Sequence, residues 1–132
     1  MNRSLRTAAL VNAGWMTFVW SQRIRNAVSN NEVNPTGAYV MSGVMLAGAV
    51  ALAATSIAKP EAPMSTTIAR VVPAAHAALW IVRGVQIAVS GRSVPFILIH
   101  EGLAAVSIGL AVWANRAAGS TASDRPGTLT RA

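Results

Sequence analysis

The sequence predicts an all-α, polytopic membrane protein: a bundle of about four transmembrane helices with short loops and a disordered basic C-terminal tail. Three observations carry that expectation. Only 11% of the 132 residues are charged, against roughly 25% in an average soluble domain. Hydrophobic residues reach 53%, more apolar surface than a soluble unit of this size has the interior to hide. The apolar residues also fall into runs of about the length that crosses a bilayer, separated by turn formers and arginine. A chain this long makes one ordinary domain rather than two, so residues 1–116 are expected to form the bundle and residues 117–132 the tail.

The first expected span covers residues 7–23. Its uncharged stretch between Arg6 and Arg23 holds 16 residues, roughly 24 Å of helix and short of the ~30 Å hydrocarbon core. Arginine stems at both ends can snorkel, and Trp15 and Trp20 suit the interface, so a thin or tilted crossing is expected, with an in-plane amphipathic helix as the competing reading. The basic start resembles a signal peptide in layout. The run ends in Trp-Ser-Gln-Arg without a small-x-small cleavage pattern, so a retained helix is expected.

Residues 29–37, SNNEVNPTG, are dense in turn formers and read as a loop. The second span, 38–58, is free of charge and has the length a crossing helix needs. Along it Gly43, Ala47, Ala51 and Thr55 recur every fourth residue, a stripe of small side chains that lets another helix approach closely. Two prolines in KPEAPMSTT break that helix, with Ser65 as the expected N-cap of the next. The third span, 68–90, contains Pro73, which removes a backbone donor and predicts a kink. Ser90-Gly91-Arg92-Ser93 is short enough to make the third span and the fourth, 94–114, antiparallel neighbours. Gly102 and Gly109 on the fourth are expected packing notches.

The formal net charge is +7, yet nucleic acid is not the expected partner. Most arginines flank apolar runs, where they meet lipid head groups, and no basic stretch is interleaved with aromatic residues for base stacking. Arg3, Arg6, Lys59, Arg116, Arg125 and Arg131 fall on one side of the expected spans, against Arg23, Arg25 and Arg92 on the other. The positive-inside rule then places both termini in the cytoplasm, in a cell (plasma or inner) membrane. Lys59 is the sole lysine, an arginine bias associated with bacterial coding. With no cysteine, disulfides and thiolate chemistry are excluded.

Ionisable groups inside a membrane are costly and mark candidate sites. Here they are His76, Arg83, His100 and Glu101, and all lie in the hairpin of the third and fourth spans. Counting outward from the turn sets Arg83 level with His100, with Glu101 beside them, so an Arg83–Glu101 ion pair is expected. His76, Trp80, Arg83 and Gln86 follow spacings of four, three and three and share one helix face, which should point into the bundle. The two histidines sit ~10 Å apart along the axis, an offset that disfavours a haem held within one chain. Neither a clustered carboxylate and histidine set nor a phosphate loop is present, so no metal, cofactor or catalytic activity is expected. The expected role is that of a small membrane protein acting through helix packing, as a homo-oligomer or as an accessory subunit among other membrane-protein subunits in the lipid bilayer. The alternative is a small proton- or ion-linked transporter or channel using Glu101, His100 and Arg83.

Overall fold

The computed structural model describes residues 1–29 and 35–123 and consists there of four helices: α1 (Arg3–Ser29), α2 (Thr36–Ala58), α3 (Pro63–Ala88) and α4 (Val94–Ser123). Residues 30–34, within the expected first loop, and 124–132, within the expected tail, lie outside the described residues. Three of the helices, α2, α3 and α4, are long and apolar enough to cross a membrane. α1 is long enough but carries arginines at both ends, Asn12 and Gln22 between them and Asn26 beyond the last, and it does not join that set.

The helices run alternately up and down. α1 packs against α2 and α4, α3 against α2 and α4, and α1 touches α3 across the diagonal. The register across each seam is antiparallel: Asn12 bonds the carbonyl of Leu110 while Asn2 bonds that of Ala117, and Gly48 lies between Met16 and Val72. Among the described glycines it is one of two with a neighbour close to where a Cβ would stand, here Val72 at 3.4 Å, an ordinary van der Waals contact.

α2 follows its expected bounds closely, starting two residues earlier behind Pro35. α3 starts five residues earlier than expected because Pro63 occupies the first helical turn, where its missing N–H is no loss. Ser65 is therefore inside the helix rather than capping it, and its hydroxyl turns back to the carbonyl of Lys59. The helix runs on through the buried Pro73 without a break. The α3–α4 connection is the expected short turn, with Gly91 at φ 66°, the left-handed conformation that glycine adopts without steric cost.

α4 departs most from its expected bounds. It continues from residue 114 to Ser123, so residues 117–123 are helical where a disordered tail was expected. The reason is local and tertiary at once: Ala117 and Ala118 favour helix, and both are buried against the start of α1.

The interior is built in layers. At the end where α1 begins, Leu5, Ala8, Ala9, Ala13, Leu52, Ala69, Ala114, Ala117 and Ala118 form one alanine-rich cluster. Midway, Met16, Trp20 and Ala49 pack together, and Val19, Trp80 and Ala104 form a third group. The expected packing stripe on α2 is not part of this interior. Gly43, Ala47 and Ala51 are exposed on the outer face, Thr55 is half-buried, and a Cβ at Gly43 would meet nothing within 4 Å. The inward face of α2 is instead Ser42, Ala49, Leu52 and Ser56. Gly102 and Gly109 likewise face open space rather than a neighbouring helix.

Candidate functional site

At the end of the bundle opposite the alanine cluster, α1, α3 and α4 part around a cleft of about 840 Å³. The size lies within the range of ligand-binding cavities. Its position follows from side-chain bulk. Trp20 comes from α1, Leu79 and Trp80 from α3, and Phe96, His100 and Leu103 from α4, all on facing surfaces. Side chains this large keep the helix axes apart where alanines would let them close.

The polar lining comes from all three helices and from the α3–α4 turn: Gln22, Arg23 and Asn26, Arg83 and Gln86, then Ser90, Arg92 and His100. Rings connect the mouth to the interior. The Arg92 guanidinium stands 5.3 Å over the Phe96 ring, which stacks on His100 at 4.0 Å. His100 lies 6.4 Å from Trp80, and Trp80 the same distance from His76, whose ring meets Trp20 edge-on at 6.1 Å. His100 Nδ1 is 2.8 Å from the carbonyl oxygen of Phe96, a contact that requires the proton on Nδ1. His76 is fully buried, and its Nε2 accepts a hydrogen bond from Trp80 Nε1 at 2.9 Å, leaving Nδ1 without a partner among the described residues.

The expected polar cluster is thus divided. Arg83, Gln86 and His100 line the cleft, His76 lies buried behind Trp80, and Glu101 is absent from the lining. The expected face of α3 therefore points inward at His76 and Trp80 and turns outward into the cleft at Arg83 and Gln86, both exposed.

Glu101 meets Gly84 rather than Arg83. A Cβ at Gly84 would come within 3.2 Å of Glu101 Oε2 and 3.3 Å of Oε1. One helical step rotates α3 by about 100°, so the carboxylate enters the notch left by the glycine while the neighbouring arginine is carried round to the cleft. Between described residues the one ion pair is that of the Met1 amino group with Glu61, at 3.9 Å; the Arg83–Glu101 pair is not formed. Buried Oε1 of Glu101 has no hydrogen-bond partner among the described residues.

Two side chains prove structural: Asn12, which the sequence left unassigned, and Trp15, which it placed at the interface. Asn12, fully buried, donates from Nδ2 to the carbonyls of Ala8 and Leu110. Trp15 donates its indole N–H to Ser107 Oγ at 2.9 Å. A single asparagine within a short apolar run was the available signal, since a buried amide requires partners. Trp80 stands between the two histidine rings, so a haem bridging them within one chain has no room. No group of three or more metal-ligating side chains occurs among the described residues.

The fold and site define a helical bundle with three helices suited to a membrane and one cationic, aromatic-walled cleft. No family model, no curated protein and no solved structure matches the chain.

Proposed function

We propose that this protein is a small integral membrane protein that works by packing against other helices, as a homo-oligomer or an accessory subunit, with no catalysis of its own. α1 in this reading crosses the bilayer with the other three helices, screened by its partners α2 and α4. The observation that carries the proposal is the outward placement of Gly43, Ala47 and Ala51 on α2, a helix already apolar enough to cross a membrane. Lipid tails are as apolar as leucine, so burial from water drives no helix association within a bilayer. Close backbone approach across small residues does, through dispersion contacts.

The test is mass determination in mild detergent for the wild type and for Gly43→Leu and Ala47→Leu. Both positions face outward, so a larger side chain leaves the fold of one chain intact. Expected is an oligomer or a co-purifying subunit for the wild type and its loss in either variant. A wild type that is strictly monomeric and alone overturns the proposal.

A second reading, proton- or ion-linked transport, draws support from the cleft itself, which brings Arg83 and His100 together. Glu101 would act there from the α3–α4 seam. Unchanged ion flux and pH dependence in liposomes carrying Glu101→Gln would remove the carboxylate from such a mechanism.

A further inference from the structure

The lining of the cleft has a chemical bias. Two guanidinium groups, those of Arg83 and Arg92, reach it from α3 and from the α3–α4 turn, beside Arg23 of α1, which is engaged elsewhere, and among the described residues no carboxylate lines it. The amides of Gln22, Asn26 and Gln86 and the Ser90 hydroxyl add neutral donors around the same mouth. Deeper in the wall, Trp20 is only 4% exposed, and its indole N–H has no acceptor among the described residues. Donors and positive charge converge where acceptors are scarce, which is the chemistry of an anion site.

The site is also two-sided. From Gln86 near the mouth to Leu79 at the floor is seven residues of α3, about 10 Å along the axis. Over that distance the lining changes from arginine and amide to Leu79, Trp80 and Leu103. A bare inorganic anion would use only the mouth, and an uncharged apolar molecule only the floor.

We propose that the cleft binds an amphiphilic anion, an acidic phosphate or carboxylate head group held by Arg83 and Arg92 with its apolar body against Leu79, Trp80 and Leu103. Such a molecule has two sources, an anionic lipid of the surrounding bilayer or a free amphiphilic anion arriving from water, and the chemistry at the cleft is the same for both. The proposal is independent of the α2 stripe and stands whether the protein is an oligomer or a monomer.

The cleft carries its own probes, because Trp20 and Trp80 line it while Trp15 and Trp113 do not. The full chain in a neutral sugar detergent is titrated with phosphatidylglycerol brominated along its acyl chains, then with phosphatidylcholine bearing the same chains, and tryptophan quenching is followed. Expected is half-maximal quenching at a lower mole fraction of the anionic lipid. Each arginine neutralised should reduce that preference by about fivefold, the equivalent of ~1 kcal/mol per basic residue near an anionic surface. Arg83→Gln should show that loss, Arg83→Lys should retain the preference, and Trp80→Phe should remove much of the arginine-dependent quenching.

Dodecyl phosphate and inorganic phosphate, added as competitors at equal concentration, separate the sources. Relief of quenching by dodecyl phosphate alone supports the amphiphile and identifies the lipid as exchangeable with it. Protection of the same tryptophans by dodecyl phosphate without any phosphatidylglycerol preference supports a free amphiphilic anion. Equal quenching by both lipids with no effect of dodecyl phosphate overturns the proposal, as does inorganic phosphate competing as well as its dodecyl ester. The lysine variant keeps the test decisive should Arg83→Gln fail to fold.

Discussion

Where α1 begins, the helices meet through Ala8, Ala9, Ala69, Ala114, Ala117 and Ala118, and Leu5 and Leu52 fill what space is left. Where α1 ends, the facing residues are Trp20, Leu79, Trp80, Phe96 and Leu103, and the helices stand apart around a cleft lined with arginine. Alanine offers a flat surface on which two backbones can close, whereas rings and long stems fill a larger cross-section imperfectly. One bundle thus has a sealed end and an open end, and side-chain size alone distinguishes them. The lesson is that the open end is free to change chemically at little cost in stability, while the sealed end is not.

The largest break in that contrast should come from Leu52→Ala. Its side chain is fully buried in the alanine-rich cluster, and truncation there leaves a cavity that rigid helix backbones cannot close. A loss of about 2–4 kcal/mol is expected, read as the midpoint shift on unfolding in mixed micelles, while Leu103→Ala at the cleft should cost well under half as much. Next comes overpacking: Ala114→Leu, at a fully buried position, should cost about 1–3 kcal/mol by the same measurement. Ala47→Leu, on the outer face of α2, should leave the unfolding midpoint of the single chain within about 0.5 kcal/mol of wild type.

Asn12→Ala removes the amide that joins α1 to the Leu110 carbonyl. A cost of about 0.6–1.7 kcal/mol is expected, as for other polar contacts between membrane helices, with amide exchange rising first along α1. A smaller effect than that of Asn12→Ala should come from Gly84→Ala. The new methyl group presses on the Glu101 carboxylate at 3.2 Å, a flexible side chain that can swing aside, so a shift under about 1 kcal/mol is expected. Adding Glu101→Ala to that variant should reverse the shift. If it does not, the strain lies in the α3 backbone and not in the carboxylate.

The turn that joins α3 to α4 was legible in the sequence to within two residues, though the far ends of both helices were not. A short polar turn between two apolar runs fixes which positions are level, and the contact of Gly84 with Glu101 lies close to the expected register. What level positions could not give was the side each residue faces. Arg83 and Glu101 share a depth, but a step of one residue around α3 decides that the carboxylate meets glycine. The stripe on α2 was legible as a pattern and its direction was not, because a helix that is apolar all round has no polar face to mark its outside. The interior ran instead through Ser42 and Ser56, one position away from Gly43 and Thr55. α1 read as the weakest span because its uncharged run between Arg6 and Arg23 is short. Two residues inside that run, Asn12 and Trp15, turn out to fasten it to α4, a partner nearly one hundred positions along the chain that periodicity has no means of finding. The cleft was invisible for a related reason, since its lining comes from three separate segments.

Many hydroxyl and amide side chains along the helices, among them Thr17, Thr55, Ser56 and Asn115, bond to a carbonyl one turn back in their own helix. Among the described residues, the side-chain bonds that pass from one helix to another all run between α1 and α4. Order of synthesis gives this clasp a temporal meaning. α1 leaves the ribosome before any other helix here, yet the acceptors for Asn12 and Trp15 arrive only with the last. Until then α1 lacks both the hydropathy to hold a transmembrane position unaided and the bonds that would compensate. The clasp is therefore a closure of first upon last: α1 can pack on α2 early, but a chain halted before α4 should leave Asn12 and Trp15 accessible to labelling reagents that the full chain excludes.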